Sequence, residues 1–280
     1  MTDASASPTD RLHRVPRRPH AWAWCLALSQ LAVVAIWWRW GWQAGLPAMV
    51  ASHAPFWWGT LWPHSRLFGP VLNRLPITDR AVWLTIDDGP SDDTAPILDA
   101  LDAHGAKATF FLVGERAARR PELVREILRR GHGIGNHSTT HPSTWFWALG
   151  PSRMRREIAE TQRILGDIMQ TESMRTEGMR TEGIGAAPRW FRAVVGLSNP
   201  FVHAPLKTHG LARAAWSARG FDGVAGDPAK VVARIERGLA PGAIVLLHEG
   251  AAHGGNVETI RLLLQRLDAL GYRTTLPSPL

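Results

Sequence analysis

Five residues in this chain have the types and spacing for hydrolytic chemistry: Asp87 and Asp88, His137 and His141, and His248. The carboxylates are adjacent and follow a short apolar run. The first two histidines stand four residues apart in His-Ser-Thr-Thr-His, so a helical turn or a tight loop aims both imidazoles at one point. Two imidazoles and one carboxylate make a donor set that suits zinc or a similar divalent ion, with a position left open for water. Such an ion lowers the pKa of its water towards neutrality, and the remaining aspartate is left beside it as a base. Each piece alone has a plainer reading. Asp-Asp-Gly accepts backbone hydrogen bonds in turns, an isolated HxxxH pair is often incidental, and His248 at the end of Ile-Val-Leu-Leu-His suits a satisfied core histidine. All three at the ends of apolar runs point to one site.

The elements that must position them alternate. Residues 81–86, 107–113 and 132–136 read as strands, and 94–104 and 121–130 as helices closed by Gly105 and Gly131. Farther on, 151–167 reads as a long amphipathic helix. Residues 189–192, 211–216, 243–248 and 272–276 read as strands, with helices over 199–209, 228–239 and 257–270. About seven such alternations argue for parallel strands with helical crossovers, in a barrel or a doubly wound sheet. Asp87, His137 and His248 all fall just after strand C-termini, the edge where parallel α/β folds build their sites. Residues 171–183, TESMR-TEGMR-TEG, repeat every five residues with little to bury, and read as a solvent-exposed loop insertion without a catalytic role.

The net charge of +8 is concentrated at the front, where the first eighty residues hold eight arginines against three aspartates. That placement excludes the concentrated basic groove of a nucleic-acid binder and gives a membrane-topology signal instead. Arg11, Arg14, Arg17 and Arg18 make residues 1–20 a basic tail. Residues 21–38 follow, uncharged and tipped by Trp22, Trp24, Trp37 and Trp38, long enough at about 27 Å for a transmembrane anchor. No small-x-small cleavage site follows, so an uncleaved anchor in a bacterial inner membrane is expected. Residues 39–79, rich in tryptophan and interrupted by Pro47, Pro55 and Pro63, are a second span or an interfacial linker. One span with the basic end inside puts the large domain, 80–276, outside the cytoplasm; two spans return it. The single cysteine, Cys25, excludes an intrachain disulfide and a cysteine-based metal site.

TIDDGP at 85–90, HSTTH at 137–141 and IVLLH at 244–248 resemble, in order and spacing, the motifs of the NodB-like polysaccharide deacetylases, carbohydrate esterase family 4. The resemblance covers about residues 80–276 and implies a distorted (β/α)7 barrel. It implies that Asp88, His137 and His141 bind the metal, usually zinc, that Asp87 is the general base and that His248 is the general acid. Arg192 would orient the base, and Trp216 and Leu246 would shape the pocket for the acyl methyl. The third motif, usually Arg-Pro-Pro-Tyr-Gly, is here Arg192-Ala-Val-Val-Gly196. In the fourth, the supporting aspartate is replaced by Arg219, and the nearest carboxylate is Asp222. The implied activity is removal of an N-acetyl or N-formyl group from an amino sugar of a polysaccharide, peptidoglycan or lipid-linked glycan. The partners expected are that carbohydrate and membrane lipid, with no nucleic acid. A metal-free membrane protein that binds glycan or a partner is the alternative. Glu249, His253 and Glu115 read as solvated loop residues, and the arginines between 116 and 130 as surface charges.

Overall fold

A computed structural model describes residues 21–175 and 187–277. The chain opens with a helical hairpin. Helix α1, Ala21–Trp40, turns back at Gly41, whose φ of 73° suits a residue without a Cβ, into α2, Trp42–Leu61. The helix α2 is continuous through Pro47 and Pro55. Midway along the pair, Gln30 Nε2 donates across the interface to Ser52 Oγ at 3.1 Å.

Strand β1, Ala81–Gly89, then enters the middle of an eight-stranded sheet. It is apolar along its length because both of its faces are covered. Val82, Leu84 and Ile86 pack in the cluster beneath the helices, with Leu98, Ile127 and Leu263. Trp83 belongs to a second cluster inside the curl of the sheet, with Phe111, Trp190, Trp216 and Leu246. After α3, Thr94–Ala103, come β2, Ala108–Leu112, the short α4, Gly114–Arg119, then α5, Pro121–Arg129, and β3, Gly133–Asn136. Proline opens α5, and Val124, Ile127 and Leu128 make its buried stripe at helical spacing. The long α6, Pro151–Arg175, precedes β4, Trp190–Phe191, α7, His203–Thr208, β5, Ala212–Arg213, and β6, Ala218–Arg219. The chain finishes with α8, Pro228–Glu236, β7, Ile244–His248, α9, Asn256–Ala269, and β8, Arg273–Thr274.

The strands lie in the order β5-β4-β3-β2-β1-β7-β6, with β8 pairing the start of β1, and every ladder is parallel. Among the described residues no ladder joins β5 to β6, so the sheet is a curled, open barrel of the distorted kind the motifs implied. The open seam is filled from outside the strand order. Leu72 bridges Ala214, and Val71 and Leu75 enter the inner cluster. Beside them, the buried Arg213 guanidinium donates to Ser198 Oγ and to the carbonyls of Ser65 and Gly69. Residues 65–75, part of the stretch read from sequence as a linker, thus pack as barrel wall.

Three other expectations change. The helix expected to stop at 167 runs to Arg175, because Ile168, Met169 and Glu172 continue its buried face and Glu172 pairs with Arg129 at 3.5 Å. The first repeat unit, residues 171–175, is therefore helical rather than loop; residues 176–183 of the repeat, like the basic tail 1–20, lie outside the described residues. The helix expected from 199 starts only at His203, since Asn199 Oδ1 takes the Phe201 N–H in a local turn. Strands β4, β5 and β8 shrink to two residues each, and the two-residue β6 is one that the pattern did not announce.

Candidate active site

Strand geometry explains why Asp87 and His248 meet. Side chains alternate along a strand, and Trp83 and Leu246 fix which alternation faces the interior. Asp87 lies on the same face as Trp83, and His248 on that of Leu246; β1 and β7 pair Asp87 with His248 directly. A regular strand would send Asp88 to the opposite face. Instead the β1–β2 register shifts between Asp87 and Gly89, and Asp88 takes φ of 73°. This bulge brings two consecutive carboxylates to the same centre.

His137 follows β3 and His141 closes a loop in which Ser138 and His141 both have positive φ, 66° and 51°. His137 Nδ1 donates to the Arg192 carbonyl at 2.9 Å. A carbonyl only accepts, so Nδ1 carries a proton, and the neutral imidazole then turns its Nε2 lone pair towards Asp88. His137 Nε2 lies 3.4 Å, and His141 Nε2 2.9 Å, from Asp88 Oδ1. The three donor atoms fall within 4.8 Å of one another. Despite those distances, Asp88 Oδ1 is buried without a hydrogen bond of acceptable angle. Lone pairs that converge without sharing a proton are what a cation requires, so the donor set fits a divalent metal. Burial works to raise the Asp88 carboxyl; with protonated imidazoles in place of a metal, the hydrogen bonds and charge of His137 and His141 outweigh it and hold the group well below the ordinary carboxylate range.

Asp87 is buried, and Arg192 Nη1 donates to its Oδ1 at 2.9 Å. The guanidinium is itself fully buried, lies over the Phe111 ring at 4.3 Å and donates to Ala215 O at 3.0 Å. Its remaining contacts are Thr85 Oγ1 at 2.5 Å and a longer donation to Ala214 O. His248 meets Asp222 twice: its backbone N–H donates to Oδ2 at 2.6 Å, and its Nδ1 lies 2.9 Å from Oδ1. Burial alone would lower this imidazole; the hydrogen bond and charge of Asp222, with the more distant Asp87 and Asp88, instead push it up to about 9. Arg219, in the place of the expected aspartate, lines the cleft and lies over the Phe221 ring at 3.7 Å. Trp216 and Leu246 line the same cleft as the five polar residues, a space of about 250 Å³ whose rim carries Val195, Phe221 and Val224. Val195 and Gly196 both have left-handed backbones, at 45° and 75°, and the β-branched Val195 is strained there.

Three residues with roles around the site escaped sequence reasoning. Glu157, buried on α6, accepts the N–H groups of Thr139 and Thr140 and the Thr140 hydroxyl, so one carboxylate grips the loop between the two histidines. It had a signal: Met154, Glu157, Ile158 and Thr161 share the helix's buried stripe, where a carboxylate needs a partner. Arg116 donates to the Asp88 carbonyl, so it is no mere surface charge. Glu249 is buried rather than solvated. It accepts from Ser91 N and Oγ and from Thr94 Oγ1, tying the loop after Asp88 to the end of β7. Burial lifts its carboxyl to about 7 against those hydrogen bonds. His253 is exposed as expected, though its Nε2 reaches Asp222 O at 2.7 Å. Glu115 is exposed.

Residues 75–213 match the sequence profile described as polysaccharide deacetylase. A chitooligosaccharide deacetylase from Bradyrhizobium sp. (strain ANU 289) is 34% identical over 204 residues, covering 69% of this chain and 86% of the relative. A peptidoglycan-N-acetylglucosamine deacetylase from Bacillus cereus is 32% identical over 211 residues, covering 72% and 69%. Among solved structures, a family 4 carbohydrate esterase from Streptomyces lividans, in complex with acetate, superposes with a TM-score of 0.60 at 31% identity, covering 71% of this chain and 93% of that one.

Proposed function

Since the chain belongs to the polysaccharide deacetylase family, carbohydrate esterase family 4, we propose that it hydrolyses the N-acyl bond of an amino sugar at a single divalent metal held by Asp88, His137 and His141. The observation that carries the metal is the convergence of three donor atoms on one point, with Asp88 Oδ1 left without a proton to accept. Zinc is the ion that two neutral imidazoles and a carboxylate favour. When bound, it would supply Lewis acidity, acidifying water and polarising the acyl carbonyl.

The remaining work falls to the protein. Asp87, oriented by Arg192, takes the proton from the attacking water. His248, held protonated by Asp222, gives a proton to the departing amine, so the two groups perform opposite transfers across one cleft. Trp216 and Leu246 offer an apolar wall against which an acetyl methyl can pack. The test is release of acetate from N-acetylated chitooligosaccharide by the full-length protein, with metal content measured beside it. About one metal per chain and acetate release lost on chelation are expected; release unaffected by chelation would refute the metal reading.

The His248 pair yields a pH dependence. Its raised value keeps the acid form present at neutral pH, and activity is lost as pH rises through about 9. Asp222→Asn removes the charge responsible, so the alkaline limb should move to lower pH by about 1–3 units. An unmoved limb in a folded, metal-loaded variant would remove Asp222 from this role.

A further inference from the structure

We propose that α1 and α2 form a two-span membrane hairpin that sets the active-site cleft at the bilayer surface, and that the amino sugar reaches the cleft attached to a lipid. This deepens the deacetylase reading and rests on it. Each helix has 20 residues, about 30 Å, the thickness of a hydrocarbon core. Only α1 passes on hydropathy among the described residues. However, α2 carries no Asp, Glu, Lys or Arg, and its Trp42, Trp57 and Trp58 lower a hydropathy index while suiting a membrane interface. Exposed tryptophans cluster at both ends of the hairpin. Trp38, Trp40 and Trp42 surround the turn, while Trp24, Trp57, Trp58 and Trp62 lie towards the base, with exposed Leu28, Leu31, Val34, Met49 and Val50 between them. The polar groups at mid-depth are satisfied internally: Gln30 donates to Ser52, whose hydroxyl also meets Met49 O.

Two observations connect this hairpin to catalysis. A single residue, Trp62, separates Leu61 at the end of α2 from Pro63, a reach of at most about 7 Å of chain. Pro63 lies against Gly196 so closely that a Cβ there would be 2.8 Å from Pro63 Cγ, and Gly196 lines the cleft. His64 meets Trp216 edge-on at 6.2 Å. Second, the catalytic domain exposes Trp145 and Trp147 beside the hairpin's base. Asn199 Nδ2 donates to Trp147 O, and the adjacent Ser198 N–H donates to Thr60 O of α2. Indoles presented at that level extend the interfacial belt onto the enzyme. The cleft rim, Val195, Phe221 and Val224, is exposed and apolar as well.

Charge then assigns the side. Arg11, Arg14, Arg17 and Arg18 precede α1, and Arg66 and Arg74 follow α2, whereas the turn has only Arg39. The basic end and the catalytic domain share one side, the cytoplasmic one.

Two measurements test this on the full chain. In a Cys25→Ser background, Gln43→Cys at the turn and Arg237→Cys on the domain are treated with a membrane-impermeant maleimide in sealed spheroplasts. Labelling at 43 and none at 237 is expected; any other pattern overturns the two-span hairpin. Acetate release is then compared for N-acetylglucosamine on a polyprenyl diphosphate in mixed micelles and for free chitooligosaccharide. Confinement of enzyme and substrate to one surface raises their effective concentration, so kcat/KM should favour the lipid-linked sugar by about tenfold or more. Equal or better turnover of the free sugar overturns the lipid-borne substrate and leaves the deacetylase standing. No release from either, with metal loaded, overturns the deacetylase reading beneath it.

Discussion

Asp88→Ala will leave the folded protein without bound metal and lower turnover by about 10³-fold or more. The magnitude follows from the several kcal/mol of charge stabilisation a catalytic ion supplies, at about 1.4 kcal/mol per tenfold. The direction follows from geometry: Asp88 Oδ1 is the one oxygen that both His137 Nε2 and His141 Nε2 face. Metal analysis of the purified variant, with acetate release at saturating zinc, checks it. A variant that retains stoichiometric metal would show that the two imidazoles and another donor make the site.

Arg192→Met will lower stability by about 3–5 kcal/mol, the usual effect of removing one partner from a buried ion pair. Among the described residues Asp87 has no second cation at hydrogen-bond distance; His137 Nε2 is 3.8 Å away. Its carboxylate would then be buried without its hydrogen-bond partner and without the contact that orients it. A base that is no longer held towards the cleft works poorly, so activity should fall even in the fraction that folds. Denaturant titration of the full chain and a pH–rate profile measure the two effects separately. A variant within 1 kcal/mol of the parent would mean that the pair contributes little, and Arg192→Lys distinguishes charge from the planar fork that also reaches Thr85 and Ala215.

Much of this site is legible in the sequence because it is built at strand ends. The runs ending at Ile86 and Leu247 announced buried strands, and alternation along them places Asp87 and His248 on the interior face. Helix signals were equally local: the proline opening α5 and the glycine after it, the stripe of α9. What could not be read was set by distant segments. The positive φ that turns Asp88 towards His137 is a bulge created by pairing with β2. The grip of Glu157 on the His-Ser-Thr-Thr-His loop depends on α6 packing beneath β3. The truncated outer strands reflect the curl of the whole sheet, which no local propensity encodes. Asp222 stands three residues beyond the position the motif led us to expect; only the loop's path, with Phe221 at φ of 65°, carries it back beneath His248.

The packing of residues 65–75 into the barrel seam has a mechanical consequence. An enzyme on a flexible stalk searches a volume, and its cleft takes many heights and tilts. Here Ser198 is hydrogen-bonded to Thr60 at the end of α2, Leu72 is laddered to Ala214, and the Arg213 guanidinium is clamped on Ser65 and Gly69. No free joint lies between the hairpin and the catalytic centre. Whatever holds α1 and α2 therefore also sets the height and tilt of the cleft, and the substrate must come to it.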